Sequence, residues 1–190
     1  MRRSSRSRAA WGLVLLAWGG LSAAAGEPGW KQHTVNRESI FESAAAFDVD
    51  NDGAIDIVSG DTWYQAPSWT RHKVRDVVKQ GTYMNCFATL PMDVNHDGRM
   101  DFITVAYFSR NVGWVENPGD SSKSWTYHEI DLPGTSEAAA LVDLTGDGTP
   151  DVLPNPTNVV AWYQLEQAGP SPKWRKFDFG TEAAGHGVGS

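Results

Sequence analysis

The sequence predicts an all-β fold, a β-propeller of four-stranded blades, from three observations. An acidic nonapeptide ending in Asp-Gly-x-x-Asp occurs three times: Asp48-Val-Asp-Asn-Asp-Gly-Ala-Ile-Asp56, Asp93-Val-Asn-His-Asp-Gly-Arg-Met-Asp101 and Asp143-Leu-Thr-Gly-Asp-Gly-Thr-Pro-Asp151. The copies begin 45 and 50 residues apart, the scale of one propeller blade. Around each copy the same succession of short β-rich segments recurs, punctuated by turn residues.

Each unit opens on a run of small and apolar residues, Ser43-Ala-Ala-Ala-Phe47, Phe87-Ala-Thr-Leu-Pro-Met92 and Ala138-Ala-Ala-Leu-Val142. Alanine favours helix, but these runs are too short for one, and small residues suit the crowded innermost strand of a blade. The nonapeptide follows, then a second strand: Ile55-Asp-Ile-Val58, Phe102-Ile-Thr-Val105 and Val152-Leu153. A tryptophan strand comes third, with Trp63, Trp114 and Trp162, and another fourth, with Trp69, Trp125 and Trp174. Four strands per unit give blades near residues 37–75, 76–131 and 132–179 within a repeat region of residues 26–190. Partial blades fall at 28–36 and 180–190. The first of these, Trp30-Lys-Gln-His33-Thr-Val, resembles the last strand of a blade and is expected to act as a closing strand. Three blades do not close a ring of four to eight. The sequence therefore reads as a fragment of a seven-bladed propeller, which at this period needs about 330 residues.

The recurring tryptophans are expected to pack between blades, where large aromatic side chains bury the most apolar area. The histidines of Trp-x-x-His, His33, His72 and His128, occupy one strand position in separate blades and are expected to be structural.

The nonapeptide carries the candidate chemistry. Side-chain oxygens at positions 1, 3, 5 and 9 and a carbonyl at position 7 suit Ca²⁺, a hard cation taking six to eight oxygen ligands. Glycine at position 6 permits the turn. The expected ligands are Asp48, Asp50, Asp52, the Ala54 carbonyl and Asp56 in the first copy. In the second they are Asp93, Asn95, Asp97, the Arg99 carbonyl and Asp101. In the third they are Asp143, Thr145, Asp147, the Thr149 carbonyl and Asp151. Thr145 is the weakest donor of the set, so the third loop is expected to bind least tightly. Asp-Gly alone is explained by a hairpin turn, but up to four carboxylates in nine residues repel one another without a cation. An EF-hand is excluded, because no glutamate stands at the twelfth position and no amphipathic helices flank the loops.

The N-terminus reads as a secretory signal over residues 1–25. Arg2, Arg3, Arg6 and Arg8 precede an apolar stretch at 11–21 and a small-residue cleavage site at Ser22-Ala-Ala-Ala25. The apolar stretch is too short for a mature transmembrane segment. Its removal takes the formal charge from −7 to −11, and ten of the acidic residues lie in the three nonapeptides. Such acidity opposes nucleic-acid binding, which wants clustered Lys and Arg. The single cysteine, Cys86, excludes an intrachain disulfide.

With their flanking strands, the segments 48–56, 93–101 and 143–151 resemble the FG-GAP/VCBS-type repeats of secreted proteins, related to the integrin α-subunit propeller. The Phe-Gly and Gly-Ala-Pro signatures of that family are degenerate or missing here. The resemblance implies structural calcium loops on one face and recognition on the other. The expectation is therefore a secreted protein, extracellular or periplasmic, serving as a non-catalytic scaffold for an extracellular protein or carbohydrate ligand. The alternative is the propeller portion of a carbohydrate-active enzyme of polysaccharide lyase or sugar dehydratase/isomerase type, although no nucleophile-elbow, zincin, Walker A or dinucleotide fingerprint occurs. The connectors 79–85, 107–111 and 117–123 are expected to contact the ligand. A speculative axial site arises from register. Glu42, Phe87 and Glu137 each stand six residues before a nonapeptide, and His186 would take the same place if a fourth began two residues beyond Ser190; on that register Glu42, Glu137 and His186 are expected to converge on the channel.

Overall fold

The computed structural model describes residues 29–181. The expected signal segment 1–25, most of the partial blade expected at 180–190 and His186 lie outside them. The description below concerns the unit that begins at Thr34.

Fourteen strands and no helix occur among the described residues. β1 (Ala44–Phe47), β2 (Asp56–Ser59), β3 (Thr62–Gln65) and β4 (Thr70–Lys73) form the first sheet in that order. β5 (Lys79–Gln80) and β6 (Tyr83–Met84) make a small hairpin, inserted where the sequence predicted only a connector. β7 (Leu90–Met92), β8 (Asp101–Val105), β9 (Val112–Glu116) and β10 (Thr126–Asp131) form the second sheet. β11 (Ala139–Val142), β12 (Asp151–Pro154), β13 (Val160–Gln167) and β14 (Lys173–Gly180) form the third.

All pairings are antiparallel and sequential, so each large sheet is a four-stranded meander. β7 lies beside both β1 and β11, which places the first strands of the three sheets next to one another. These are consistent with partial propeller blades, and the sheets do not close into a ring. The alanine-rich runs are strands, as their position in the repeat requires. Residues 29–43 contain no strand, and the third sheet takes its fourth strand from its own repeat.

Two cores fill the seams. Between the first and second sheets, Phe47, Val49, Val58, Trp63 and Val74 pack with Phe102, Val115 and Trp125. Between the second and third, Val94, Ile103, Val105 and Trp114 pack with Val152, Tyr163 and Leu165. Trp63, Trp114 and Trp125 therefore act in packing, as large aromatic surfaces do where two sheets meet. Their histidines have a specific task. Trp63 pairs across strands with His72 and Trp114 with His128, the rings stacked at 4.4 Å in both cases. The third repeat puts Phe177 opposite Trp162, stacked at 4.1 Å. An aromatic ring is the common requirement, and the imidazole meets it in two repeats of three.

Candidate metal centre

Each nonapeptide links the first strand of a large sheet to the second: β1 to β2, β7 to β8 and β11 to β12. Antiparallel pairing sets this link at one end of the sheet and the next link, from second to third strand, at the other. The loops thus share one end, and the connectors 60–61, 106–111 and 155–159 share the opposite one.

A common hydrogen-bond scheme builds the loops. The first Asp accepts from the backbone N–H groups of positions 5 and 6. Asp48 accepts from Asp52 at 3.2 Å and Gly53 at 2.9 Å, Asp93 from Asp97 at 3.1 Å and Gly98 at 3.0 Å, and Asp143 from Asp147 at 3.2 Å and Gly148 at 3.0 Å. The fifth residue then accepts from the N–H of the seventh at 2.8–2.9 Å in all three copies. Glycine at position 6 has φ of 88°, 83° and 88°, the left-handed region that L side chains rarely adopt. Position 4 is left-handed too, at Asn51 (59°), His96 (55°) and Gly146 (74°). This second reversal went unread in the sequence because three different residues fill it. Asn and Gly there were the available signal, since both tolerate that conformation.

The ninth Asp is buried in every copy, Asp56 and Asp101 at 0 % exposure and Asp151 at 1 %. Asp56 accepts from the N–H of Val49 at 3.1 Å and of Ala66 at 2.7 Å. Asp101 accepts from Val94 at 3.0 Å and Asn117 at 2.8 Å, and Asp151 from Leu144 at 2.9 Å. It therefore ties the second residue of its own loop, in the first two repeats, to the residue just beyond the third strand. Burial pushes the Asp101 carboxyl up to about 7, against the lowering effect of its two N–H donors, and Asp97 and Asp93 add to the rise. Burial raises Asp151 in the same sense. Asp147 is held low by the Thr149 N–H and by the side chains of Thr145 and Gln164.

The first loop gathers its acids closely. Carboxylate oxygens of Asp48, Asp50 and Asp56 lie within 4.8 Å of one another, so these three residues could hold a metal ion. Asp50 is exposed and fixed by Gln65 Nε2 at 2.6 Å. Asp52 sits on the same turn, its carboxylate accepting from Ala54. In the second loop Asn95 replaces an acid, its amide donating to Asp97 at 3.1 Å and to Glu116 at 3.3 Å. The Arg99 guanidinium curls back to pair with Asp97. In the third loop Thr145 Oγ1 lies 3.5 Å from Asp143 Oδ1. The donor chemistry in the first loop is all carboxylate, while a guanidinium or a hydroxyl dilutes it in the others.

The expected axial trio does not form a described site. His186 lies outside the described residues. Glu42 is exposed, and Glu137 is half-buried beside Phe87, Tyr83, Tyr107 and Phe108, with its N–H donating to Asn155 Oδ1 at 3.0 Å. No helix among the described residues is long and apolar enough to cross a membrane.

No curated protein matches the chain in sequence. A protein-family comparison matches residues 93–153, from the first Asp of the second loop to β12, to the FG-GAP-like repeat. That segment is one full period, running from one nonapeptide through two tryptophan strands and into the next. Together with the three equivalent sheets, the match is consistent with an FG-GAP/VCBS-type repeat protein.

Proposed function

We propose that this chain is an exported, Ca²⁺-stabilised propeller-type scaffold that binds an extracellular protein or carbohydrate partner without catalysing a reaction. The carrying observation is the cluster of Asp48, Asp50 and Asp56, whose oxygens approach within 4.8 Å in a loop that the chain repeats twice more with the same backbone scheme.

Asp48, Asp50, Asp52, Asp56 and the Ala54 carbonyl would hold the ion in the first loop. Asp93, Asn95, Asp97, Asp101 and the Arg99 carbonyl would do so in the second, and Asp143, Thr145, Asp147, Asp151 and the Thr149 carbonyl in the third. Bound calcium would supply positive charge where carboxylates otherwise repel. Each first Asp orients the turn through two N–H groups, and each ninth Asp anchors it to the sheet. This division leaves the metal end to hold the fold. Recognition then falls to the opposite end, where connectors of different length and composition emerge, including 107–111 of the segments expected from sequence to meet a ligand. Export fits the basic and apolar N-terminal segment 1–25, and the acidic balance fits millimolar external calcium.

Thermal unfolding with calcium and with a chelator tests the reading. A site that binds only the folded chain adds about 2.7 kcal/mol at one hundred times its dissociation constant. Tm should therefore climb steadily with the logarithm of calcium concentration and fall back on chelation. Superimposable melting curves in the two conditions would defeat the calcium assignment.

A further inference from the structure

Arg75 lies just beyond β4 and reaches across the seam between the first and second sheets. Its Nε–H donates to the Gly60 carbonyl at 3.3 Å, and its Nη2 donates to Thr104 Oγ1 at 3.3 Å. The guanidinium carbon stands 5.3 Å from the centre of the Phe102 ring. Those contacts are all to neutral groups. A guanidinium carries five N–H donors, and among the described residues no carboxylate pairs with this one.

The nearby acids are engaged elsewhere. Lys73 Nζ binds Asp61 at 2.9 Å and, at 3.2 Å, Asp76, which follows Arg75 in the chain and lies on the wall of the adjoining cavity; Asp61 acts on the Arg75 charge only through space. The Cys86 thiol is close enough to interact with Arg75, but burial pushes its pKa up, so it supplies no counter-charge at neutral pH. Burial disfavours the charged guanidinium and lowers its pKa. A withdrawn charge without a partner is costly, and folded proteins ordinarily pair it.

Arg75 borders a cavity of about 420 Å³, whose wall also includes Asn85, Ser109, Asn111, Trp125 and Tyr127. That volume lies in the range of small-ligand sites. The amides are orientated by their neighbours. Asn85 Nδ2 donates to Ser109 Oγ at 2.8 Å, Ser109 Oγ donates to Asn111 Oδ1 at 2.7 Å, and Asn111 Nδ2 donates to the Tyr127 oxygen at 2.5 Å. Because Tyr127 accepts there, its own O–H is left to donate. Burial first, then Glu129, pushes the phenol up to about 12, so the proton stays on. Tyr127 is laid across the second sheet by Gly113, where a Cβ would stand 2.4 Å from its oxygen. The cavity therefore presents a guanidinium and a phenol O–H, both donors, beside the indole of Trp125.

We propose that this cavity between the first and second sheets is a carboxylate-binding site, in which Arg75 and Tyr127 donate to the carboxylate and Trp125 covers the body of the ligand. A carboxylate matches the planar fork of a guanidinium in a way that a neutral hydroxyl does not. Two of the connectors that sequence reasoning assigned to ligand contact, 79–85 and 107–111, supply Asn85, Ser109 and Asn111. The site deepens the scaffold reading by naming the class of ligand, and it rests on that reading's assignment of a binding role, not on metal in the loops.

Glucuronate, acetate and a tripeptide with a free C-terminus are the probes, with glucose as the uncharged control. Binding to the intact chain is followed by calorimetry. The expected result is saturable binding of carboxylates, none of glucose, loss in Arg75→Gln and roughly tenfold weakening in Tyr127→Phe. Tighter binding of glucuronate identifies an acidic sugar as the source, and tighter binding of the tripeptide a peptide terminus. Equal affinity of wild type and Tyr127→Phe overturns the proposal, as does absence of carboxylate binding or equal binding of glucose. Tyr127→Phe keeps the test decisive if Arg75→Gln fails to fold. A calcium-dependent Tm alongside absent carboxylate binding would remove this site and leave the metal reading standing.

Discussion

Within one nonapeptide, residues of the same type divide between holding the loop together and facing outward. Asp56 is fully buried and satisfies the N–H groups of Val49 and Ala66, so Asp56→Ala leaves one buried and one half-buried donor without partners. At about 1–3 kcal/mol for each unsatisfied group, the loss should appear in urea denaturation with calcium absent. Asp50 is exposed and, among the described residues, bonded through Gln65, and Asp50→Ala should change stability in chelator by less than about 1 kcal/mol. The same substitution should sharply reduce the calcium-induced rise in Tm. A large loss in chelator for Asp50→Ala would show that this position also builds the loop. The sequence displayed both residues as equal members of an acidic motif. Burial separates them, and burial depends on the strand pair that the loop connects.

At the scale of strands and sheets, the three aromatic stacks show which identities matter and which are exchangeable. Trp63 on His72, Trp114 on His128 and Trp162 on Phe177 are the same cross-strand pair written with two different partners. His72→Phe should therefore keep the stack while giving up the 3.0 Å contact of Nε2 with Gln65, a change within about 1 kcal/mol by urea denaturation. Trp114→Ala should cost about 3–5 kcal/mol, because Trp114 is 3 % exposed and lies in the core between the second and third sheets. A strongly destabilised His72→Phe would mean that the imidazole nitrogen, not the ring face, is what the fold requires. The strands themselves were legible in the sequence, since each nonapeptide fixes the phase of the segments around it, and the alanine runs became strands despite their helical propensity. The aromatic pairing was not legible. Trp-x-x-His points to residues within one strand, whereas the stacking tryptophan comes from the preceding strand and is revealed only by register. The β5–β6 hairpin was missed for a related reason: two-residue strands carry too little alternation to register as a pattern.

Across the whole array, repeat units that touch only their neighbours take their cooperativity from the seams, and a few polar side chains cross the first seam. Asn117, 3 % exposed, donates through Nδ2 to the Val49 carbonyl at 2.8 Å and the Met100 carbonyl at 3.2 Å, while its own N–H reaches Asp101 at 2.8 Å. Asn51 Nδ2 donates to the Gly98 carbonyl at 2.9 Å, joining the first loop to the second. The backbone N–H of Trp125 also crosses, donating to the Val74 carbonyl at 2.7 Å. The bonds of Asn117 to Val49, Asn51 to Gly98 and Trp125 to Val74 were not visible in the sequence, because each joins residues of different repeats whose proximity the period alone does not specify. The Arg75 cavity stayed hidden for the same reason: its donors come from both sides of that seam. Asn117→Ala tests how far such links hold the array together. It orphans the buried Val49 carbonyl and removes the only side chain that bonds both Val49 and Met100 among the described residues. The expected cost is about 2–3 kcal/mol. If the seam carries the cooperativity, the variant should also unfold over a broader urea range, with a smaller slope than wild type, since a less cooperative array no longer exposes its surface in one step. A lower midpoint at unchanged slope would instead show that the apolar core of Trp63, Phe102 and Trp125 suffices to couple the two repeats, with Asn117 contributing stability alone.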